Sequence, residues 1–293
     1  MNQTEPQSAA PTVPAALGET RIGSVTFDWG TRTFVMGIVN VTPDSFSGDG
    51  LLGPGKRGAI AANAAALART MADEGADLLD VGGESTRPGH TAVDSDEEIR
   101  RVVPVVAAVR RVLPSMPISI DTTKPAVAAA AIDAGADLIN DIWGVGEDDS
   151  LVRLAAERRV PIVLMHNRSE PRYWALMPEL VADLERAIER ALRAGVPWAD
   201  ILIDPGFGFG KTADQNFELL RDLGALRPLG RPILLGTSRK STLGKVLDLP
   251  ADQRLEATIA TTALGIAAGI DIVRVHDVGA NVRAARMTDA VVR

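Results

Sequence analysis

The chain alternates between short apolar runs and longer segments with helical spacing, and this alternation narrowly limits the folds open to it. Eight apolar runs begin on average about every 34 residues from residue 34 onward, which is the scale of one βα unit. Short apolar runs followed by helical segments are typical of buried parallel strands. The predicted strands are residues 34–40, 77–83, 117–121, 137–141, 161–166, 201–204, 232–236 and 271–276.

The segments between the runs carry apolar residues three or four positions apart, which favours helices. Two such faces are Ile60, Ala64, Leu67 and Met71, and Leu180, Leu184, Ile188 and Leu192. Four units end in similar phrases in which a glycine precedes the next strand, as at residues 74–80 and 134–140. We therefore predict an α/β fold, a single (β/α)₈ TIM barrel, with an open doubly wound sheet as the alternative.

The N-terminal part of the chain differs from the rest. Residues 1–19 are rich in Pro, Ala and Gln without a hydrophobic period, which predicts a disordered leader. Residues 20–33 are predicted to form a short hairpin, because Val25 and Phe27 alternate with polar neighbours and Trp29-Gly30 suits a turn. The barrel domain is predicted to cover residues 20–293.

Composition excludes several classes of protein. The chain has no cysteine and three histidines, so disulfide frameworks, thiolate metal sites and a His-rich zinc site are not expected. A net charge of −7 with 4% aromatic residues argues against nucleic-acid binding. The first basic residue is Arg21 and no apolar stretch reaches membrane-spanning length. We expect a cytoplasmic protein without a membrane partner.

Polar residues follow every predicted strand. Because the carboxyl ends of barrel strands converge on one mouth, these side chains are expected to form a single site. A lone Asp or Asn after a strand is usually a helix cap, but folding does not require Arg or Lys there on several strands at once. The residues concerned are Asn40, Thr86, Arg87, Asp121, Asn140, Met165, His166, Asp204, Arg239, Lys240, Arg274 and His276.

The chemistry of this mouth is divided in two. Asp121, Asn140 and Asp204 offer acceptors that suit a ligand with a row of N–H donors. Cationic residues accompany them, and the last two barrel strands are where such barrels commonly hold phosphate. The cationic set is Arg87, Arg239, Lys240, Arg274 and His276. The expected ligand has a guanidine-like edge and a phosphate group.

Two glycine-rich segments imitate nucleotide-binding loops. Residues 53–58 match GxGxxG but include Pro54 and lie well after the first strand, so they carry little weight. Residues 204–212 imitate a phosphate-binding loop, although Pro205 stands where that motif needs glycine. These glycines are more consistent with close backbone approach to a flat ligand.

Eight motifs, each at a strand end, together resemble dihydropteroate synthase over essentially all of residues 34–293. They are MGIVNVTPDSFS (36–47), GGESTRPG (82–89), SIDT (119–122), NDI (140–142), LMH (164–166), DPGFGFGKT (204–212), GTSRKS (236–241) and RVHD (274–277). The resemblance implies condensation of 6-hydroxymethyl-7,8-dihydropterin diphosphate with 4-aminobenzoate in folate biosynthesis. It also implies Mg²⁺, a homodimer and a target for sulfonamides.

The resemblance assigns roles to the residues that match the motifs. Asp121, Asn140 and Asp204 would hold the pterin edge, and Lys240 its carbonyl side. Met165 and Phe209 would form apolar walls, and Arg87 and Ser241 would contribute to the 4-aminobenzoate end. The diphosphate would contact Asn40, Thr86, Arg274 and His276, with Asn40 also beside Mg²⁺. Lys240, Asp204, Arg274 and His276 would be the catalytic set.

The sequence departs from the family pattern in two loops. Asp49 is displaced by one residue in Ser47-Gly48-Asp49-Gly50, and residues 167–170 replace the common stretch after LMH. Two other functions stay open. One is a catalytically silent pterin-binding paralogue, against which the full diphosphate set counts. The other is a methyltetrahydrofolate-dependent methyltransferase, against which the absence of a cobalamin-binding partner domain counts.

Overall fold

The structure, a computed structural model, describes residues 17–41, 57–84 and 93–293. The predicted leader up to residue 16 therefore lies outside the described residues, as do Asp49, Thr86 and Arg87. The described strands are Glu19–Ile22 (β1), Val25–Asp28 (β2), Phe34–Asn40 (β3), Leu78–Gly82 (β4), Ile118–Asp121 (β5), Leu138–Asp141 (β6), Ile162–Met165 (β7), Ile201–Asp204 (β8), Leu234–Leu235 (β9) and Ile272–Val275 (β10).

Each of the strands β3 to β10 is followed by at least one helix. The described α-helices are Arg57–Asp73 (α1), Ser95–Val112 (α2), Pro125–Asp133 (α3), Ser150–Arg158 (α4), Leu176–Arg193 (α5), Ala213–Arg221 (α6), Ser241–Leu247 (α7), Leu255–Ala267 (α8) and Val278–Val292 (α9). Short 3₁₀ helices lie at Trp198–Asp200, Leu223–Leu229 and Ala251–Gln253. All of these α-helices are too short or too polar to cross a membrane, within the described ranges.

Strands β3 to β10 form one parallel sheet that closes on itself. The sheet order is β8-β7-β6-β5-β4-β3-β10-β9, and a parallel bridge between Ile203 and Ile233 joins its two ends. The predicted TIM barrel is confirmed, and the open doubly wound sheet is wrong. All eight predicted strands are present, with ends that differ by at most two residues from the predicted ones.

The interior and exterior of the barrel follow the alternation of side chains along each strand. The side chains that face inward, among them Leu78, Leu138 and Leu202, form one buried cluster inside the barrel. Their neighbours in sequence, such as Leu79 and Ile139, belong to the larger cluster between the strands and the helices. A barrel filled in this way is a packed core, and only its mouth is left for ligands.

The N-terminal hairpin closes the end of the barrel opposite the mouth. Phe27 and Trp29 pack with Phe34 at the start of β3, with ring centroids 4.8 and 5.2 Å from that ring. The hairpin itself is confirmed, but its turn lies at Gly23-Ser24. The predicted turn at Trp29-Gly30 instead leads into β3, because Trp29 is drawn into the interior.

The predicted helix faces turn toward the core with one exception: Ala64 and Met71 of α1 are buried, and Ile60 and Leu67 are half-buried against the core. Leu180, Leu184 and Ile188 of α5 are buried, whereas Leu192 is 40% exposed. The buried face continues through Ala191 instead. The prediction for Leu192 was wrong because four-residue steps drift around a helix of 3.6 residues per turn, so the face moves by one position after three steps.

Candidate active site

The sequence-predicted site residues that the structure describes lie at the carboxyl ends of the barrel strands. Asn40, Asp121, Met165 and Asp204 are each the last residue of a strand, namely β3, β5, β7 and β8. The others lie in or just after later strands and loops: Asn140 in β6, Phe209 after β8, Lys240 and Ser241 at the start of α7, and Arg274 and His276 in and after β10. The structure thus brings them to one mouth.

Four polar side chains from alternate barrel strands form a ring just above the apolar interior. Asp80, Asn140, Asp204 and Arg274 each stand two positions after an inward-facing apolar residue of the same strand. Those apolar residues are Leu78, Leu138, Leu202 and Ile272. Because side chains two positions apart point to the same side of a strand, the four polar residues face inward as the next layer. We call them the polar layer.

Asp80 belongs to this layer although the sequence analysis did not single it out. It lies inside β4 and is fully buried. The residues predicted for the site were those at or after the strand ends, which for this strand are Thr86 and Arg87. The two-residue step from Leu78 was the signal that could have found it.

Arg274 lies between two carboxylates. Its Nε donates a hydrogen bond to Asp80 (2.6 Å) and its Nη2 donates one to Asp121 (2.7 Å). These charge-assisted contacts are made in a buried setting, where they are stronger than in water. Arg274 therefore sits beside the predicted pterin-edge residues, while its remaining N–H groups have no acceptor among the described residues.

Several buried oxygens of the mouth lack a hydrogen-bond partner within the described part of the chain. They include Oδ1 of Asp121 and Oδ1 of Asn140. A buried acceptor without a donor is costly, by about 1–3 kcal/mol. A ligand that offers N–H groups at this position would remove that cost.

Burial shifts the pKa values of the charged groups at the mouth. It raises the pKa of Asp121 to about 7, against the opposing effect of Arg274. It also raises the pKa of Asp204 to about 6, although the Gly206 N–H and Lys240 act in the other direction. Burial lowers the pKa of Lys240 to about 7, which Asp204 counteracts. Clusters of opposed, shifted groups of this kind are typical of functional sites.

Lys240 is held by the loop that follows β8. Its Nζ donates a hydrogen bond to the carbonyl of Phe207 (2.8 Å) and lies 3.7 Å from the centre of the Phe209 ring. The second contact is a cation–π interaction. The predicted wall residue Phe209 and the predicted carbonyl-binding Lys240 therefore touch each other.

A second lysine, Lys211, fixes the same loop. Lys211 Nζ donates to the carbonyls of Gly206 (3.0 Å) and Phe209 (3.1 Å) and lies 3.1 Å from Nδ1 of His166. His166 is fully buried, and its Nε2 lies 3.1 Å from Asp183 of α5. Burial lowers the pKa of His166 to about 3, with Lys211 adding to the effect.

His166 is therefore a neutral, packed residue, with Nδ1 accepting from Lys211 and Nε2–H donating to Asp183. From the sequence, His166 was expected at the mouth either as a packed strand-end histidine or as a ligand contact. Lys211 and Asp183 were not predicted, since a lysine in a loop and an aspartate on a helix carry no distinctive pattern.

The segment between β9 and α7 carries two further pairs. Ser238 Oγ lies 3.0 Å from Nδ1 of His276, which fixes the ring at the end of β10. Arg239 was predicted to add positive charge to the mouth, but it donates two hydrogen bonds to Asp277, at 3.1 and 2.6 Å. Its charge is thus neutralised within the protein.

The loop after β7, which departs from the family pattern, is tied to α5. Arg168 pairs with Asp183 (2.7 Å) and Glu179 (2.8 Å) and stacks over the ring of Tyr173. Asn167 is buried and donates to the carbonyl of Ile142 (3.1 Å). These contacts give the loop its own anchors in place of the common stretch.

Comparison with known proteins agrees with this fold and mouth. A family described as pterin binding enzyme matches residues 36–276. The dihydropteroate synthase of Clostridium beijerinckii is 51% identical over 93% of this chain and 99% of its own length. That of Bacillus subtilis is 50% identical over 89% of each chain.

Solved structures give the same result. A dihydropteroate synthase from Clostridium difficile, solved in the presence of pteroic acid, has a TM-score of 0.86 at 50% identity and covers 91% of this chain and 99% of that chain. The enzyme of Xanthomonas albilineans with 4-aminobenzoic acid has a TM-score of 0.86 at 41% identity, over 93% and 97% of the two chains.

The barrel and its polar mouth are those of a pterin-binding enzyme. Relatives of similar length, 51% and 50% identical to this chain, identify the family within that class. The chain belongs to the dihydropteroate synthase family, which are transferases of folate biosynthesis.

Proposed function

We propose that the mouth joins 6-hydroxymethyl-7,8-dihydropterin diphosphate to 4-aminobenzoate, with release of diphosphate and 7,8-dihydropteroate. The observation that carries this proposal is the pairing of unsatisfied buried acceptors on Asp121 and Asn140 with two cations, Lys240 and Arg274, in one mouth. A pterin with a diphosphate leaving group matches both kinds of group.

The acceptors bind the aminopyrimidinone edge of the pterin. Asp204, Asp121 and Asn140 accept from its N–H groups, and Lys240 donates to its carbonyl. Met165 and Phe209 flank the ring. Since Phe209 and Lys240 already touch, the loop after β8 and the start of α7 bring a wall and a donor together.

The reaction breaks the bond between the pterin methylene carbon and the diphosphate oxygen. The electron pair leaves with the diphosphate, and the methylene cation is delocalised into the pterin ring. The 4-aminobenzoate nitrogen then forms the new C–N bond and loses a proton. Asp121 and Asp204 favour the positive ring, and Arg274 and His276 stabilise the departing anion. Thr86 also contacts the diphosphate, and Arg87 and Ser241 contribute to the 4-aminobenzoate end of the site.

We propose that Asn40 would hold Mg²⁺, which would supply positive charge beside the departing diphosphate. Glycine at position 82 leaves Oδ1 of Asn40 uncovered, since a β-carbon there would be in van der Waals contact with it at 3.8 Å. One or two protein oxygens suffice for Mg²⁺, which keeps waters and takes phosphate oxygens. No group of three or more acidic or His ligands lies within the described residues. When bound, the ion would neutralise charge on the diphosphate.

We propose a homodimer through α8 and α9. These helices pack on each other and expose Leu264, Met287 and Val291 by 59%, 68% and 73%. Exposed apolar side chains grouped on neighbouring helices are typical of protein contacts.

We also propose that the protein works in the cytoplasm and binds sulfonamides, as the Yersinia pestis relative solved with a sulfonamide drug complex does.

The proposed function is tested by assaying dihydropteroate formation with Mg²⁺ or with a chelator. We expect metal-dependent product, reduced on the order of 10²–10³-fold in the Asp204→Asn variant. Asp200→Asn is a matched control, because Asp200 precedes the opposite end of the same strand. Tight pterin binding by the wild type without any product would favour the silent paralogue. Equal activity of the Asp204→Asn variant would contradict the pterin-edge assignment.

A further inference from the structure

Asp80 is hydrogen-bonded to two residues beside it in the polar layer, Asn140 of the proposed pterin edge and Arg274 of the proposed diphosphate site. Its Oδ2 accepts hydrogen bonds from Nε of Arg274 (2.6 Å) and from Nδ2 of Asn140 (3.1 Å). The side chain is fully buried in β4. One carboxylate oxygen on the second barrel strand thus joins residues of the fourth and eighth strands within the polar layer.

The bond to Asn140 decides which end of its amide faces the mouth. Only the NH₂ end can donate to a carboxylate, and the carbonyl end would be repelled by it. With Nδ2 committed to Asp80, Oδ1 of Asn140 is left without a partner among the described residues. Asp80 therefore makes Asn140 an acceptor toward the ligand.

The bond to Arg274 decides where its guanidinium lies. Asp80 holds Nε and Asp121 holds Nη2, so two N–H groups of the planar fork are fixed by carboxylates on the neighbouring strands β4 and β5. The fork geometry then sets the direction of the remaining N–H groups. Without Asp80, Arg274 would keep a single carboxylate partner.

We propose that Asp80 is a positioning residue for substrate binding that acts through Asn140 and Arg274 by its Oδ2; its Oδ1 is buried without a partner among the described residues. This inference rests on the proposed function. Its loss should weaken the binding of the pterin more than it slows the bound reaction. Groups that orient ligating residues typically contribute about 10–100-fold to affinity or activity, as measured at metal sites.

The main test is the Asp80→Asn variant, which keeps the side-chain volume but removes the charge. Binding of pteroic acid is measured by calorimetry, and KM and kcat are measured with pterin diphosphate. We expect the Kd for pteroic acid and the KM to rise about 10–100-fold, with a smaller change in kcat. An unchanged Kd would overturn the proposal.

Asp271→Asn is the matched control for a purely structural effect. Asp271 is also a buried carboxylate, but it lies at the closed end of β10, where it accepts from the backbone N–H of Ile233 (3.0 Å). We expect this variant to lose thermal stability while its Kd for pteroic acid stays at the wild-type value. Equal weakening of binding in both variants would mean that Asp80 acts through stability alone, and would overturn the proposal.

A double variant tests the route of the effect. In the Arg274→Ala background, Asp80→Asn should raise the KM for pterin diphosphate less than it does in the wild type, because one of the two residues it positions is gone. Fully multiplicative losses would contradict positioning through Arg274. Because pteroic acid binding needs no turnover, a wild type that binds but forms no dihydropteroate would refute the proposed reaction and leave this inference intact.

Discussion

Gly206 packs directly against the backbone of His166. A β-carbon built on Gly206 would overlap the carbonyl oxygen of His166, and Gly206 has a φ of +69°, in the region that side chains disfavour. The loop after β8 can therefore pass close to the end of β7 only with glycine here. That close passage is what brings the Phe207 carbonyl under Lys240.

A Gly206→Ala substitution should displace this loop. We expect it to lower kcat/KM for pterin diphosphate on the order of 10²-fold, because small displacements of positioning groups have effects of that size. Steady-state kinetics on purified protein measures this. Gly224→Ala is the control, since nothing lies within 4 Å of a β-carbon at Gly224. Wild-type kinetics in the Gly206→Ala variant would contradict the role given to the loop.

Lys211 should matter for substrate binding although it is not assigned to contact substrate. Replacing it with Met leaves the carbonyls of Gly206 and Phe209 without this donor, at a cost of about 1–3 kcal/mol in the free energy of unfolding. We expect a raised KM for pterin diphosphate and a lower melting temperature. Lys245→Met, an exposed lysine on α7, should change neither.

The activity of the free enzyme should be confined to a narrow pH range. Asp204 and Asp121 accept N–H groups most strongly when they are ionised, and burial raises their pKa values to about 6 and about 7. Hence kcat/KM should fall as the pH drops through 7 toward 6. Above pH 7 it should fall again as Lys240, whose pKa is about 7, loses its proton.

A pH–rate profile from pH 5 to about 9 checks this expectation. The Asp121→Asn variant should have a shallower acid limb, because one of the two carboxyls no longer titrates.

The raised pKa values also make the free energy of unfolding depend on pH. Because the folded-state pKa of Asp204 lies above its ordinary value of 3.8, the folded protein binds this proton more tightly. Its contribution to stability therefore decreases as the pH rises from about 4 to 6. A free energy of unfolding that stays constant from about pH 4 to 6 would contradict the burial of Asp204.

Stability and catalysis should separate at the closed end of the barrel. Phe27 is fully buried in the hairpin, and Phe27→Ala should lower the free energy of unfolding by about 3–5 kcal/mol. Because the hairpin lies opposite the mouth, kcat/KM at a temperature where the variant is folded should be unchanged. Denaturant unfolding and kinetics at 20–25 °C check both parts. A large loss of kcat/KM in folded protein would contradict the separation.

The barrel could be predicted from sequence because a parallel strand buried on both faces has a continuous apolar run. The strand Phe34–Asn40 matches its predicted bounds, and Leu234–Leu235 is the one most shortened. The hairpin turn was predicted at the wrong residues because Trp29-Gly30 also forms a turn, and only tertiary packing decides which turn joins the two strands.

The site could be predicted only in part. Residues that follow strands stand out from their apolar neighbours, which is why Asp121 and Asp204 were found. Asp80 did not stand out, because it lies within an apolar run. The partner that neutralises Arg239 is Asp277 on another strand end, and no local pattern predicts that pairing. Roles of individual site residues stay predictions.

The closed end of the barrel determines the order in which substrates can bind and the product can leave. Among the described residues, the hairpin and the apolar layer of Leu78, Leu138, Leu202 and Ile272 fill the lower part of the barrel, so a ligand reaches the polar layer from the mouth. A ligand seated on the polar layer must therefore arrive before anything that occupies the rim, and it must leave after it. If the pterin is that deep ligand, 4-aminobenzoate is the last to enter. The finished product must then withdraw with its aminobenzoate end leading and its pterin end trailing.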